Sequence, residues 1–240
     1  MPHDLTIDLP MIWGGIIALA VLMYVVLDGF DLGIGILFAI NRDEADRDKM
    51  IASIAPIWDG NETWLVLGGG GLLAGYALLG ACWLILKTDG RLRERCFALA
   101  FTLGIVLAAY LAMISIWTPL AHPRVAERWF SFPNFLFLAP IPLAAGFCWL
   151  NMMRSLALRR ESAPFLSAIA IFIFSFAGLG ISVWPYIVPN ILTIHDAAAP
   201  EKSQGFLLIG VIGLLPLILG YTAHSYWVFR GKVTDAAGYH

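Results

Sequence analysis

What this chain has little of is charge. Only 13% of its 240 residues are Asp, Glu, Lys or Arg, against 60% apolar residues, and the mean hydropathy is +0.79. That balance excludes an ordinary soluble domain and identifies an integral membrane protein. The net charge of −2 lacks the basic excess that a nucleic-acid partner calls for. Cysteine is scarce too. Cys82, Cys96 and Cys148 lie in or beside apolar runs, and no pair has metal-ligand spacing, so they read as packing residues. Residues 1–10 contain no Lys or Arg, so no cleavable secretory signal is expected. The glycine tract 68–71 is not a phosphate loop, because no Gly-Lys-Ser follows it.

Histidine offers equally little. His3 and His240 are terminal, and His122 and His195 fall in expected outer loops. His224 lies inside a span, near its basic end. A single histidine there is more often an interface residue than a haem ligand. Met113, Met152 and Met153 have no histidine at a matching spacing. No metal site and no haem site of its own is expected for this chain.

What the chain does have is acid in unexpected places. Asp28 and Asp31 stand in the first apolar run, and Asp59 and Glu62 in the second. A charge at the centre of a membrane helix costs roughly 2.5–3.5 kcal/mol on insertion scales, and such residues mark functional sites by default. Within each pair the spacing is three, so each pair shares a helix face. If segment 41–50 is a turn between antiparallel helices, both pairs lie roughly 13–15 Å below it at 1.5 Å per residue. Carboxylates at one depth suit a proton or cation site. The plainer reading is that they pair with tryptophan or backbone donors. Trp58, Asn61 and Trp64 stand among the second pair, as packing residues or as a wall that orients the carboxylates.

The apolar runs predict an all-α polytopic bundle of about five to six spans, treated as one membrane domain over 1–240. The expected spans are 9–40, 51–86 (single or broken), 96–117, 134–153, 164–188 and 205–229. Twelve of the fifteen Lys and Arg residues fall in 41–50, 87–95, 154–160 and the tail. The positive-inside rule makes those segments cytoplasmic, with the N-terminus outside and the C-terminus inside. One conflict remains. Segments 41–50 and 87–95 are both basic, so an even number of crossings should join them, yet only 36 residues lie between.

Three motifs carry a resemblance: Asp28-Gly-Phe-Asp31-Leu-Gly-Ile-Gly35, Ser53-Ile-Ala-Pro56-Ile-Trp58-Asp59-Gly-Asn61-Glu62-Thr-Trp64, and Trp83-Leu-Ile-Leu-Lys87-Thr. They resemble subunit II of cytochrome bd quinol oxidase, in the cyanide-insensitive-like variant. Tyr221-Thr-Ala and Tyr226-Trp227 are similar to the family's last span. The resemblance implies a haem-free subunit in a bacterial inner membrane with a periplasmic N-terminus. It would scaffold subunit I, which holds haems b and d, in a complex that oxidises quinol and reduces oxygen. A structural quinone in subunit II and a small accessory subunit occur in the family. Asp28 and Asp59 match its proton route, with Asp31 and Glu62 beside them. The chain departs from the pattern near 71–75, dividing a first acid-bearing part, 1–71, from the remaining spans, 72–240. The resemblance implies an internal block of about a hundred residues there that this sequence lacks, by a deletion or by residues left unrecorded. Two other readings fit the acids: a proton- or cation-coupled transporter, and an assembly subunit whose acids only pack.

Overall fold

The computed structural model describes residues 8–54, 70–188 and 191–233. Helix α1 spans Leu9–Ile40. At 1.5 Å per residue its length is about 48 Å, well beyond a ~30 Å hydrocarbon core. It starts at Asp8, whose carboxylate accepts the Met11 amide at 3.1 Å, with Pro10 in the first turn. It ends at Asn41, which is extended. Segment 41–50, expected as a turn, is helical from Glu44: α2 covers Glu44–Ile54. The Asp43 carboxylate accepts the Asp46 amide at 3.4 Å, and Glu44 and Asp46 occupy the first turn. Acid at a helix start opposes the exposed N–H groups there, so this charged stretch winds rather than bends.

Helix α3, Gly70–Lys87, is the centre of the molecule. Leu78, Leu79, Cys82, Leu84 and Ile85 are wholly enclosed, packed by α1, α4 and α8. Helix α4 is Gly90–Ala121. It leads through α5, Pro123–Phe130, and α6, Asn134–Leu138, into α7, Pro140–Ala157. Helix α8 is Ala163–Val183 and α9 is Glu201–Val228. Among the described residues, five stretches are long and apolar enough to cross a membrane: α1, α4, α6 with α7, α8 and α9. Leu73–Lys87 is a shorter apolar helix. The protein is an all-α polytopic membrane protein, with one small exception. Span 164–188 stops at Val183, and Tyr186–Val188 pairs antiparallel with Leu192–Thr193 as strands β1 and β2. The cause is Trp184-Pro185, since proline lacks an N–H and pushes the residue before it out of the helical region.

Contacts fix the direction of the central helices. Gly29 abuts the Tyr76 ring and Gly33 abuts Gly80, a step of four along α1 matched by a step of four along α3 in the same sense. The start of α1 meets the start of α9, where Trp13 Nε1 donates to the Gln204 carbonyl at 3.2 Å. The end of α3 meets the end of α9, where Lys87 Nζ donates to the Phe229 carbonyl and, at 3.3 Å, to that of Gly231. Helices α1, α3 and α9 therefore run parallel. The ends of α1 and α3 lie together, as the charges of 41–50 and 87–95 require.

Ion pairs close that end into a plate. Arg95 bonds Asp46 at 2.7 Å, and Arg91 reaches Asp43 at 3.6 Å. Arg93 bonds both Asp89 at 2.8 Å and Glu161 at 2.7 Å, and Arg159 bonds Glu94 at 2.7 Å. Lys232 brings in the tail through Asp89 at 3.0 Å and Glu161 at 2.8 Å. All four cation-rich segments meet there. The opposite end holds Asp8 with His195, 3.8 Å apart, and Arg128, which caps the carbonyls of Ile181 and Trp184.

Candidate functional site

Asp31 of α1 is buried, with 6% of its surface exposed. Its chain neighbour Phe30 anchors a group of aromatic rings. Phe30 stacks on Trp83 with centroids 4.6 Å apart, meets Phe165 edge-on at 5.9 Å, and meets Tyr226 edge-on at 6.3 Å. Trp83 meets Phe165 at 5.2 Å and Tyr226 at 5.9 Å. Helices α1, α3, α8 and α9 thus each give one ring or more to one wall. Tyr226 is close enough to Asp31 for the two to interact electrostatically. Apolar surface excludes water around the carboxylate, while the phenol and the indole put polar edges within the same wall.

The wall continues toward the plate. Lys87, one turn beyond Trp83, is 5% exposed, with Nζ 4.9 Å from the Trp83 ring centre, the geometry of a cation–π contact. Trp83 Nε1 donates to the Ser53 carbonyl at 3.4 Å, and the Ser53 hydroxyl donates to the Met50 carbonyl at 2.7 Å. The end of α2 is therefore seated against the ring that stacks on Phe30.

The sequence-predicted residues divide accordingly. Asp31 is in the buried site. Asp28 lies on α1, three residues earlier, at a spacing that shares the face; its side chain is outside the description. Trp58, Asp59, Asn61, Glu62 and Trp64 lie outside the described residues. Residues 71–75 fall inside α3. His224 is exposed on α9, its ring 5.9 Å from that of Trp227. Among the described residues, no group of three or more His, Cys, Asp or Glu could hold a metal ion.

Sequence reasoning passed over Tyr226 and Lys87 as site residues. Their signal is positional: each is a polar group within a turn of a helix end that carries aromatics. It also passed over the small-residue spacing Gly29-x-x-x-Gly33, which permits α1 and α3 to touch.

The parallel core of apolar spans, a buried acid and a plate of ion pairs at one end define a multi-pass membrane protein with an internal polar site. Its sequence matches the family of cytochrome bd terminal oxidase subunit II in two overlapping segments, residues 9–77 and 71–229. The chain belongs to that family. It is 40% identical over 72 residues to cytochrome bd-I ubiquinol oxidase subunit 2 of Escherichia coli strain K12, 30% of this chain and 19% of the relative. It is 38% identical over 72 residues to the probable cytochrome oxidase subunit 2 of Haemophilus influenzae, again 30% and 19%. To cytochrome bd ubiquinol oxidase subunit 2 of Bacillus subtilis it is 33% identical over 75 residues, 31% of this chain and 20% of the relative. The chain thus covers about a fifth of the length of these curated relatives.

Proposed function

We propose that this chain is the haem-free subunit II of a membrane quinol:oxygen oxidoreductase. It scaffolds a haem-bearing subunit I and supplies buried carboxylates to a proton-uptake route from the cytoplasmic side. The observation that carries the reading is Asp31, buried in a membrane-crossing helix within electrostatic reach of Tyr226, its chain neighbour Phe30 stacked on Trp83. An acid in that setting can hold a proton and hand it on, whereas the cost of burying it buys nothing for packing alone. Asp28, on the same helix face, extends the route, and Asp59 and Glu62 join it from the segment that leaves α2. The ion-paired plate is the cytoplasmic face, because it collects the basic segments, and the membrane is the bacterial inner membrane.

Redox chemistry belongs to subunit I. In this reading His224, exposed on α9 with its ring 5.9 Å from that of Trp227, is an interface residue rather than a haem ligand. Haems b and d, quinol and oxygen are served by the partner, while a structural quinone and a small accessory subunit are further features of the assembly. The two overlapping family matches fit a chain that lacks an internal block near 71–75. The acids before the block and the spans after it are retained.

The test is co-purification of the chain from its own membranes, with Asp28→Asn, Asp31→Asn and Asp59→Asn as variants. A partner carrying b- and d-type haem spectra is expected with all of them. Quinol-driven oxygen uptake should fall at least about tenfold in the variants, the loss expected for one relay group. A haem-free preparation that moves protons or cations supports the transporter instead. Unchanged assembly and turnover in every variant would make the acids structural.

A further inference from the structure

At the end of the bundle away from the plate, α5, α6 and the last turn of α8 border an open cavity of about 450 Å³. Phe137, Leu138, Ile181 and Trp184 form apolar walls, and Arg128 and Asn134 supply the polar groups. The guanidinium is fixed in direction. Arg128 Nη1 donates to the Ile181 carbonyl at 2.6 Å and to the Trp184 carbonyl. Trp129 pins the same helix by donating from Nε1 to the Ser182 hydroxyl at 2.9 Å. Around the cavity Phe130, Phe132 and Phe137 are 64%, 78% and 76% exposed, at the junction between α5 and membrane-crossing helices. Trp184, 46% exposed beside them, is a residue type that a membrane interface selects.

We propose that this cavity binds one phospholipid, with its phosphodiester on Arg128 and Asn134 and an acyl chain along the apolar walls. The argument is complementarity. A guanidinium presents five N–H groups in a planar fork suited to phosphate oxygens, and the Asn134 amide adds a donor at the same site. A soluble phosphate leaves the four apolar walls unmatched. A neutral isoprenoid matches the walls but offers no anion to the N–H groups of Arg128 and Asn134 that are not already given to Ile181, Trp184 and Ser131. A phospholipid answers both, and it is the abundant molecule at that depth. The volume falls in the range of small-molecule sites. Segment 118–133 carries Arg124 and Arg128 against Glu127, so an anionic headgroup is favoured over a zwitterionic one.

Arg128 also caps α8, so its removal alone does not isolate the cavity. Gly180 does. It lines the cavity, and a Cβ built on it meets nothing within 4 Å. Gly180→Leu therefore fills the space and leaves both carbonyl bonds of Arg128 in place. The experiment is native mass spectrometry with lipid extraction, on protein taken from its own membranes in mild detergent with any attached subunits. The wild type should retain one phospholipid that Gly180→Leu and Arg128→Met lose, retention falling about tenfold, as expected for a lost charge-assisted contact. Refilling from nanodiscs should favour phosphatidylglycerol over phosphatidylcholine, and inorganic phosphate should not displace the lipid. Equal retention in the wild type and Gly180→Leu overturns the proposal, as does a retained molecule without phosphate. Displacement by inorganic phosphate alone overturns it as well. Should Arg128→Met fail to fold, Gly180→Leu decides.

Discussion

Gly33 of α1 and Gly80 of α3 touch backbone to backbone. A Cβ on Gly80 would stand 2.6 Å from the Gly33 carbonyl carbon and 2.6 Å from the Ile34 amide nitrogen, and a Cβ on Gly33 would overlap the Tyr76 carbonyl. Lipid tails are as apolar as leucine, so close backbone approach, rather than the hydrophobic effect, holds such helices together. This one contact sets the spacing of α1 against the central helix, and with it the position of Asp31. Gly33→Ala and Gly80→Ala should each destabilise the protein by at least about 1–3 kcal/mol, the cost of overpacking. Lower melting temperature in detergent and lower yield are the readouts. Gly35→Ala is the control, because nothing lies within 4 Å of a Cβ there, and it should leave the melting temperature unchanged.

Asp46 and Arg95 join the first turn of α2 to the start of α4. Their side chains are 9% and 45% exposed, 2.7 Å apart. A carboxylate that well covered loses much if its partner goes, while the half-exposed guanidinium can rehydrate. Discounting for that screening, Arg95→Ala should cost about 1–2 kcal/mol and Asp46→Ala rather less. A double-mutant cycle on thermal unfolding should show coupling between the two. Zero coupling would mean the pair only decorates the surface.

The basic plate was legible before any coordinates, and the route by which it forms was not. Lysine and arginine clustered in four segments place those segments on one face, and the bonds Asp46–Arg95, Arg159–Glu94 and Lys232–Glu161 join them there. The bounds of α1 were readable because Asp8 and Pro10 open an unbroken apolar run and Asn41 closes it. Helix α2 was not, because its stabilisation comes from the Asp43 cap and acids in the first turn rather than from an apolar face. Helix α5 hid in a charged loop for a similar reason: eight residues give too short a window for periodicity. The parallel course of α1 and α3 depends on two glycines 47 positions apart, a tertiary contact that no local pattern announces. Of the candidate site, the burial of Asp31 followed from its place in an apolar run. Its neighbour Tyr226, on the last helix, did not.

The tail from Phe229 to Val233 is tied by bonds of different kinds. Val233 N donates to the Lys87 carbonyl at 2.8 Å, and Lys87 Nζ donates to the carbonyls of Phe229 and Gly231. Lys232 pairs with Asp89 and Glu161. The hydrogen bond from Lys232 holds the Asp89 carboxyl below its ordinary 3.8. Bonds to Glu161 and then Asp89 hold Lys232 above its ordinary 10.5. The Asp89 contribution is present above about 3.8 and lost as pH falls through its lowered pKa. The Lys232 contribution is present below about 10.5 and lost as pH rises through its raised one. Hydrogen exchange of residues 229–233 should therefore be flat between about pH 5 and pH 9 after correction for intrinsic rates. Lys232→Ala should raise it modestly. High salt should mimic that change, because these ions are largely exposed. Lys87→Met should raise it more, since the lysine is buried and its bonds are screened far less.

Trp83 separates the packing role of the aromatic wall from its polar one. Its ring touches Phe30, Phe165 and Tyr226, so Trp83→Ala should open a cavity and cost about 3–5 kcal/mol. Trp83→Phe keeps a ring against Phe30 but removes the donor that holds Ser53. At 3.4 Å that bond is long, so its loss should cost less than about 1 kcal/mol in stability. Turnover is the sharper readout. On the proposed function, if the proton route needs the end of α2 seated against this wall, Trp83→Phe should slow oxygen uptake while leaving the melting temperature almost unchanged. If the wall only excludes water, turnover should follow stability in both variants, with Trp83→Phe indistinguishable from wild type and Trp83→Ala impaired. The two outcomes assign the seating of Ser53 either to the proton route or to the packing.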